Sequence, residues 1–224
     1  MKKAITLLLV TYLFSSCIPF GHLESGRTIG KGITQMKGEL DLFAVADISE
    51  ENLPNSDILY ENVPFGSLGM GYGLTDKTEV RASLSLSSFL QLEVKHQFVG
   101  DATSKFALSV GPGVSFNIVN QFGSTGDLEH NLHGIIHLPV YMSYHPNTKS
   151  YWFFNPEVAF LGVYKKPDLL NTIYWGSAFG YGIEYKNLDF SFGGVIYAPN
   201  VNPVLAPLVS PFRMGVSIKY LLRE

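Results

Sequence analysis

The chain has 224 residues, a formal charge of −3, one cysteine and no basic run. An intramolecular disulfide is therefore excluded, and the electrostatic footprint of a nucleic-acid binder is missing. Hydrophobic residues make up 46% of the chain and aromatics 13%, with 22 glycines, yet no stretch after residue 16 approaches eighteen uninterrupted apolar residues, so no transmembrane helix is expected there.

The chain opens MKKAITLLLVTYLFSSC. Lys2 and Lys3 form a positive start, and Ala4 to Phe14 is an apolar run of about eleven residues, too short to cross a bilayer as a helix and typical of a secretory signal peptide. Ser15-Ser16 ahead of Cys17 resembles a bacterial lipobox, with Phe14 where leucine is usual. That resemblance implies a precursor acylated on Cys17 (a palmitate-type anchor) and cleaved just before it. Ile18 stands where enteric-type lipoproteins retained at the inner membrane carry Asp, which tilts the expectation toward the outer membrane. Residues 1–16 hold two basic and no acidic side chains, so the mature chain has a formal charge of −5.

Period-2 alternation then predicts ten strands. The first spans about 35–45, with Lys37 and Glu39 on its polar face, and the second about 65–74, where Leu68, Met70, Tyr72 and Leu74 alternate with glycines. Residues 79–98 read as a hairpin broken near Ser87-Ser88: Val80, Ala82, Leu84, Leu90, Leu92 and Val94 lie on one face, and Glu79, Arg81, Glu93 and Lys95 on the other. Further strands are expected at about 106–118, 134–144, 151–164, 174–185, 188–197 and 211–222. Glu157, Glu184, Arg213 and Lys219 fall on their polar faces.

Three features assign the faces. The polar face is rich in Gly, Ala and Ser, with isolated charges of both signs that can pair: Lys37, Arg81, Lys95, Arg213 and Lys219 against Glu39, Glu79, Glu93, Glu157 and Glu184. The apolar face carries bulky side chains in nearly every strand. Trp152 and Tyr164 share parity twelve residues apart, and Trp175 and Tyr185 ten apart; at about 3.3 Å per residue and a tilt near 40° these span roughly 30 and 25 Å, the height of an apolar band between aromatic girdles. Tyr144, Tyr151 and Tyr174 are expected in the same belts. The links 75–78, 100–105, 145–150 and 186–187 read as short, and 46–63, 119–133, 165–173 and 198–210 as long, the asymmetry of a barrel whose tight turns face the periplasm.

Residues 71–80, GYGLTDKTEV, look like the YGLTD strand–turn–strand segment common in small bacterial outer-membrane β-barrel proteins. The likeness implies an all-β, closed antiparallel up-and-down transmembrane barrel of about ten strands, with eight as the alternative. The C-terminus ends Leu-Leu-Arg-Glu, so Tyr220 and Leu222 are left to signal the barrel-assembly machinery. The expected organisation is a signal peptide over 1–16, a lipidated N-terminus and linker over 17–34 and a barrel over 35–224.

Candidate chemistry is sparse. GMGYG at 69–73 alternates within a strand and lacks the helix that a phosphate-cradling loop needs. His130 and His133, with His137, Asp127 and Glu129 nearby, form a weak metal-ligand candidate, and no metal or cofactor is expected. The expected role is structural, binding or narrow-channel, in an outer-membrane lipoprotein that is not an enzyme. Two alternatives stand beside it: a lipocalin-like carrier of an apolar ligand, and a hydrolase acting at the rim with Asp127, Glu129 and His130. The expected partners are the bilayer and the barrel-assembly and lipoprotein-sorting machineries, with no nucleic acid and an unknown ligand.

Overall fold

A computed structural model describes residues 22–47, 60–85, 89–122, 128–165, 168–199 and 208–221. They form β1 (Ile33–Asp47), β2 (Tyr60–Thr75), β3 (Thr78–Ser85), β4 (Phe89–Val99), β5 (Phe106–Val110), β6 (Gly113–Phe122), β7 (Leu128–Asn147), β8 (Ser150–Lys165), β9 (Asp168–Tyr185), β10 (Leu188–Pro199) and β11 (Leu208–Leu221). Every pairing is antiparallel. β1 pairs with both β2 and β11, so the sheet closes on itself. β5 and β6 both lie between β4 and β7 and are two halves of one stave, so the cylinder is a ten-stranded up-and-down barrel.

The predicted strand over 106–118 is thus not continuous. It breaks at Gly111-Pro112, because proline has no N–H to give the ladder. The break is stitched by Gly111 N–H donating to the Pro139 carbonyl (3.0 Å) and Val94 N–H to the Pro112 carbonyl (3.1 Å).

The short turns fall where the sequence places them, at 76–77, 100–105, 148–149 and 186–187, and define a lower rim. In the turn at 100–105, Asp101 accepts hydrogen bonds from Thr103 and Ser104, which hold its carboxyl down to about 2. The links at the upper rim are shorter than expected. β6 and β7 extend into 119–133, leaving 123–127; β8 and β9 leave only 166–167; β1 and β2 leave 48–59; and β10 and β11 leave 200–207. Hydrophobic alternation marks only the part of a strand with two different environments on its two faces. Backbone pairing continues past it.

The sidedness of the hairpin at 79–98 is resolved outward for the apolar face. Leu68, Leu84, Ile136 and Trp152 are each more than half exposed, whereas Glu79 and Lys95 are fully buried. Large exposed apolar side chains recur around the cylinder, and a soluble protein does not cover itself this way. The lipocalin-like alternative needs an apolar interior and finds one that buries Glu79, Glu93, Lys95 and Glu157 beside an apolar cluster around Phe153. Tyr144, Trp152, Trp175 and Tyr185 are exposed, at 50–59%. Tyr151 and Tyr174 correct the expected belts: both are buried in the lumen, because each is the strand neighbour of an outward tryptophan and successive side chains point to opposite faces. Tyr164 is in β8, and its side chain lies outside the described residues.

The inverted arrangement predicts a difference between neighbouring thiols in a Cys17→Ser background. In lipid vesicles, Leu84→Cys should be shielded from a water-soluble maleimide, and a fluorophore attached there should be quenched by a lipid-phase spin label. Ser83→Cys should escape that quencher. Arginine at Leu92 should cost about 2–4 kcal/mol if it sits near the midplane, measured by urea titration of the lipid-refolded protein.

Candidate functional site: a plugged lumen

The stretch read as a linker is, from residue 22 onward, inside the barrel. At the lower rim Gly32 N–H donates to the Gly73 carbonyl (2.9 Å) and Lys31 N–H to Asp76 Oδ1 (3.4 Å). Gly30 and Gly32 have positive φ, 89° and 73°, the left-handed backbone that lets the chain reverse from the lumen into β1. Gly73 gives the turn room, since a Cβ there would collide with the Gly30 carbonyl.

From that turn, tracing backward, the chain climbs the lumen in irregular form. Its backbone groups have no ladder to join, so wall side chains satisfy them. Ile29 N–H donates to Glu79 (2.6 Å) and Thr28 N–H to Gln97 (2.9 Å). Lys95 Nζ donates to the carbonyls of Ser25 (2.7 Å) and Arg27 (3.0 Å). Gly26 N–H donates to Ser143 Oγ (2.9 Å), and Ser109 Oγ to the Gly26 carbonyl. Asn155 Nδ2 donates to the carbonyls of His22 (2.8 Å) and Glu24 (2.9 Å), and Leu23 N–H donates to Glu39 (3.2 Å). At the top of the described segment His22 meets Gln91 (2.7 Å).

Glu24 is the electrostatic centre. Its carboxylate lies against Lys37 (2.7 Å), Arg81 and Lys95 (3.7 Å). The wall charges interlock around it. Lys37 also meets Glu39 (2.5 Å); Arg81 meets Glu79 and Glu93 (3.4 Å); and Lys95 meets Glu79 (3.8 Å). Tyr141 donates its hydroxyl to Glu93 (2.8 Å) and lies under the Lys95 ammonium, 4.5 Å from its ring centroid. Elsewhere in the lumen, Glu157 accepts from Tyr197 (2.5 Å) and lies 3.6 Å from His137. Lys219 and Glu184 pair at 3.5 Å toward the lower rim, Asp189 accepts from Tyr151, and Arg213 is buried. All ten charges placed on polar faces by the sequence therefore sit on the lumen wall.

Sequence reasoning passed over Glu24, Tyr141 and Tyr197 and put Tyr151 and Tyr174 on the outer face. The tyrosines carried a legible signal: Tyr141 has the opposite parity to Met142 and Tyr144, which marks it as inward. Glu24 carried none, since no alternation covers residues 22–32.

His130 and His133 belong to β7, but their side chains lie outside the described residues, as do Asp127 and Cys17. The described residues that come nearest to a metal-ligand set are His22, Glu24 and Glu39, with ligand atoms within 4.8 Å of one another. The Lys37 ammonium bridges both carboxylates, so a fixed cation already stands there. Beside the plug a polar cavity of about 270 Å³ remains, lined on the wall side by Gln35, Asp189, Ser191, Ser217 and Lys219.

No protein-family model and no curated protein matches the chain. It is similar in outline to the outer membrane protease OmpT from Escherichia coli, with TM-score 0.44 and 8% identity over 88% of this chain and 100% of that one. It is also similar to the N-terminal β-barrel domain of OprF from Pseudomonas aeruginosa (TM-score 0.32, 11% identity, 85% and 99% covered) and to the outer membrane protein Ail of Yersinia pestis (0.37, 7%, 85% and 100%). At this distance the likenesses assign no residue a role.

Glu24→Gln keeps the shape of the plug and removes the charge shared by three cations. Breaking a buried ion pair from one side costs about 3–5 kcal/mol. The variant should unfold in urea at a correspondingly lower midpoint, and trypsin should cut after Arg27 in the variant barrel faster than in the wild type.

Proposed function

We propose that this chain is an outer-membrane β-barrel lipoprotein, held by its strands and by acyl chains on Cys17, and that it works as a self-plugged structural or binding protein instead of an open channel. The observation that carries the reading is the occupancy of the lumen by residues 22–32, with Glu24 set among Lys37, Arg81 and Lys95. A ten-stranded barrel is only slightly wider than one of eight strands, whose own side chains nearly fill it, so an extended segment inside it takes up much of the bore and leaves a cavity of about 270 Å³ beside it among the described residues.

Membrane insertion is supported by the apolar exterior and by the outward aromatics near the lower rim, Tyr72, Tyr144, Trp152, Tyr185 and Tyr220, the residue types that sit at a headgroup interface. The acyl anchor rests on the Ser15-Ser16-Cys17 ending of the leader. The partners in this reading are the bilayer and the assembly and sorting machineries, and no catalytic step is assigned. Ser143 and His145 are hydrogen-bonded (2.9 Å), but Ser25 covers both, so the pair serves to hold the plug.

Planar-bilayer recording tests the reading. The wild-type protein should insert without stable conductance steps, and a variant with His22–Ile29 replaced by Gly and Ser of equal length should give small, steady steps. Stable conductance from the wild type would sink the plugged-barrel reading. Fractionation with a heat-modifiable gel band tests membrane insertion separately.

A further inference from the structure

The lower rim is basic in a chain that is acidic as a whole. Five chain reversals lie there among the described residues, and each holds one exposed lysine: Lys31 where the plug turns into β1, Lys77 between β2 and β3, Lys105 just before β5, Lys149 between β7 and β8, and Lys186 between β9 and β10. None of the five takes part in the ion pairs of the lumen. The exposed acids beside them are Asp76 and Asp101, and both are engaged by the protein's own groups. Asp76 accepts from Lys31 N–H (3.4 Å), and Asp101 from Thr103 and Ser104. Glu184 is paired with Lys219. Five positive charges thus stand against two negative ones, where the chain as a whole has a formal charge of −3. The links of the opposite rim, at 48–59, 86–88, 123–127, 166–167 and 200–207, reverse the balance in sequence, with Glu50, Glu51, Asp57 and Asp127 against Lys166.

These lysines stand within reach of lipid headgroups. Lys105 directly precedes Phe106 and Lys186 directly follows Tyr185, and both rings point outward. The Lys186 ammonium lies 5.5 Å from the centroid of the Tyr185 ring. Lys149 is three residues below Trp152, about 10 Å along the strand. Headgroups occupy roughly 5–8 Å on each side of the hydrocarbon, and a lysine stem lets its ammonium reach back toward them. Tyr144 is the register partner of Trp152, and Trp152 packs on Tyr181 with ring centroids 4.8 Å apart, so an aromatic belt runs above the lysines over β7, β8 and β9.

We propose that the lower rim is a lysine collar that binds the phosphates of anionic phospholipids in the periplasm-facing leaflet. This rests on the membrane-insertion reading above. Short turns face the periplasm in a barrel of this kind, which sets the collar on that leaflet. Each ammonium near an anionic leaflet favours association by roughly fivefold, and lysines spread around the circumference hold the barrel at a fixed depth. The aromatics supply the apolar half of that grip and the lysines the polar half. A soluble polyanion would meet the same lysines and would have no use for the belt directly above them.

The two tryptophans of the chain report separately on the two ends of the wall. Trp152 lies beside the collar, and Trp175 lies ten residues up β9 from Tyr185. Full-length Trp175→Phe and Trp152→Phe variants would be refolded into mixed vesicles of phosphatidylglycerol and phosphatidylcholine, with one lipid brominated at a time and a heat-modifiable gel band reporting insertion. Trp152 should be quenched several-fold more strongly by brominated phosphatidylglycerol than by brominated phosphatidylcholine, and Trp175 equally by both. The preference at Trp152 should vanish at about 1 M salt, where the screening length falls to about 3 Å. It should also vanish when Lys31, Lys77, Lys105 and Lys149 are replaced by Gln and Lys186, whose φ is 54°, by Asn. Equal quenching of Trp152 in inserted protein, the same preference at Trp175, or a preference that survives the five substitutions would overturn the collar and leave the insertion reading standing. Equal quenching together with lysine-dependent binding of soluble polyglutamate would assign the rim to a polyanion instead. Failure to insert into any vesicle would sink the insertion reading and the collar with it.

Discussion

The seam between β1 and β11 is the interaction on which the rest depends. Eleven backbone pairings from Ile33–Leu221 to Ala46–Leu208 turn an open sheet into a cylinder. Closure removes the last unpaired edge, which is what lets a β-structure meet hydrocarbon at all. It also creates an interior that apolar side chains, Ile135, Phe153 and Val195 among them, fill only in part. A polar interior of this width must be neutralised by its own contents, because burying unpaired charge costs several kcal/mol per ion.

Residues 22–32 supply those contents. The wall alone sets Lys37, Arg81 and Lys95 beside Glu39, Glu79 and Glu93. Glu24, arriving from outside the sheet, touches all three cations. The same side chains serve two purposes: Lys95, Glu39 and Glu79 balance charge and also hydrogen-bond the backbone of the plug. Wall and plug are thus one polar network, held together by hydrogen bonds as well as by ion pairs.

The wall was legible in the sequence because a strand with lipid on one face and polar lumen on the other must alternate with period two. That is why Leu84 and Ser83, or Trp152 and Tyr151, can be told apart by parity alone. At the upper ends of β6 and β7 the pattern lapses: 119–122 and 128–133 read as loop and are strand. The break at Gly111-Pro112 was hinted at by the proline, yet apolar alternation ran straight through it. The plug was illegible for a different reason. Its residues are matched one by one to partners 13 to 133 positions away, and such matching leaves no local period to read.

Gly32 alone joins the plug to Ile33, the first residue of β1, and β1 is one of the two strands that form the seam. The filling and the closing edge are therefore the same piece of chain. Once the cylinder is shut, the segment can leave only by sliding lengthwise, drawing Glu24 away from three cations and stripping its backbone of partners. Filling and closure are therefore coupled: a register slip of β1 at the seam would carry Gly32 and the segment behind it along the lumen by the same step.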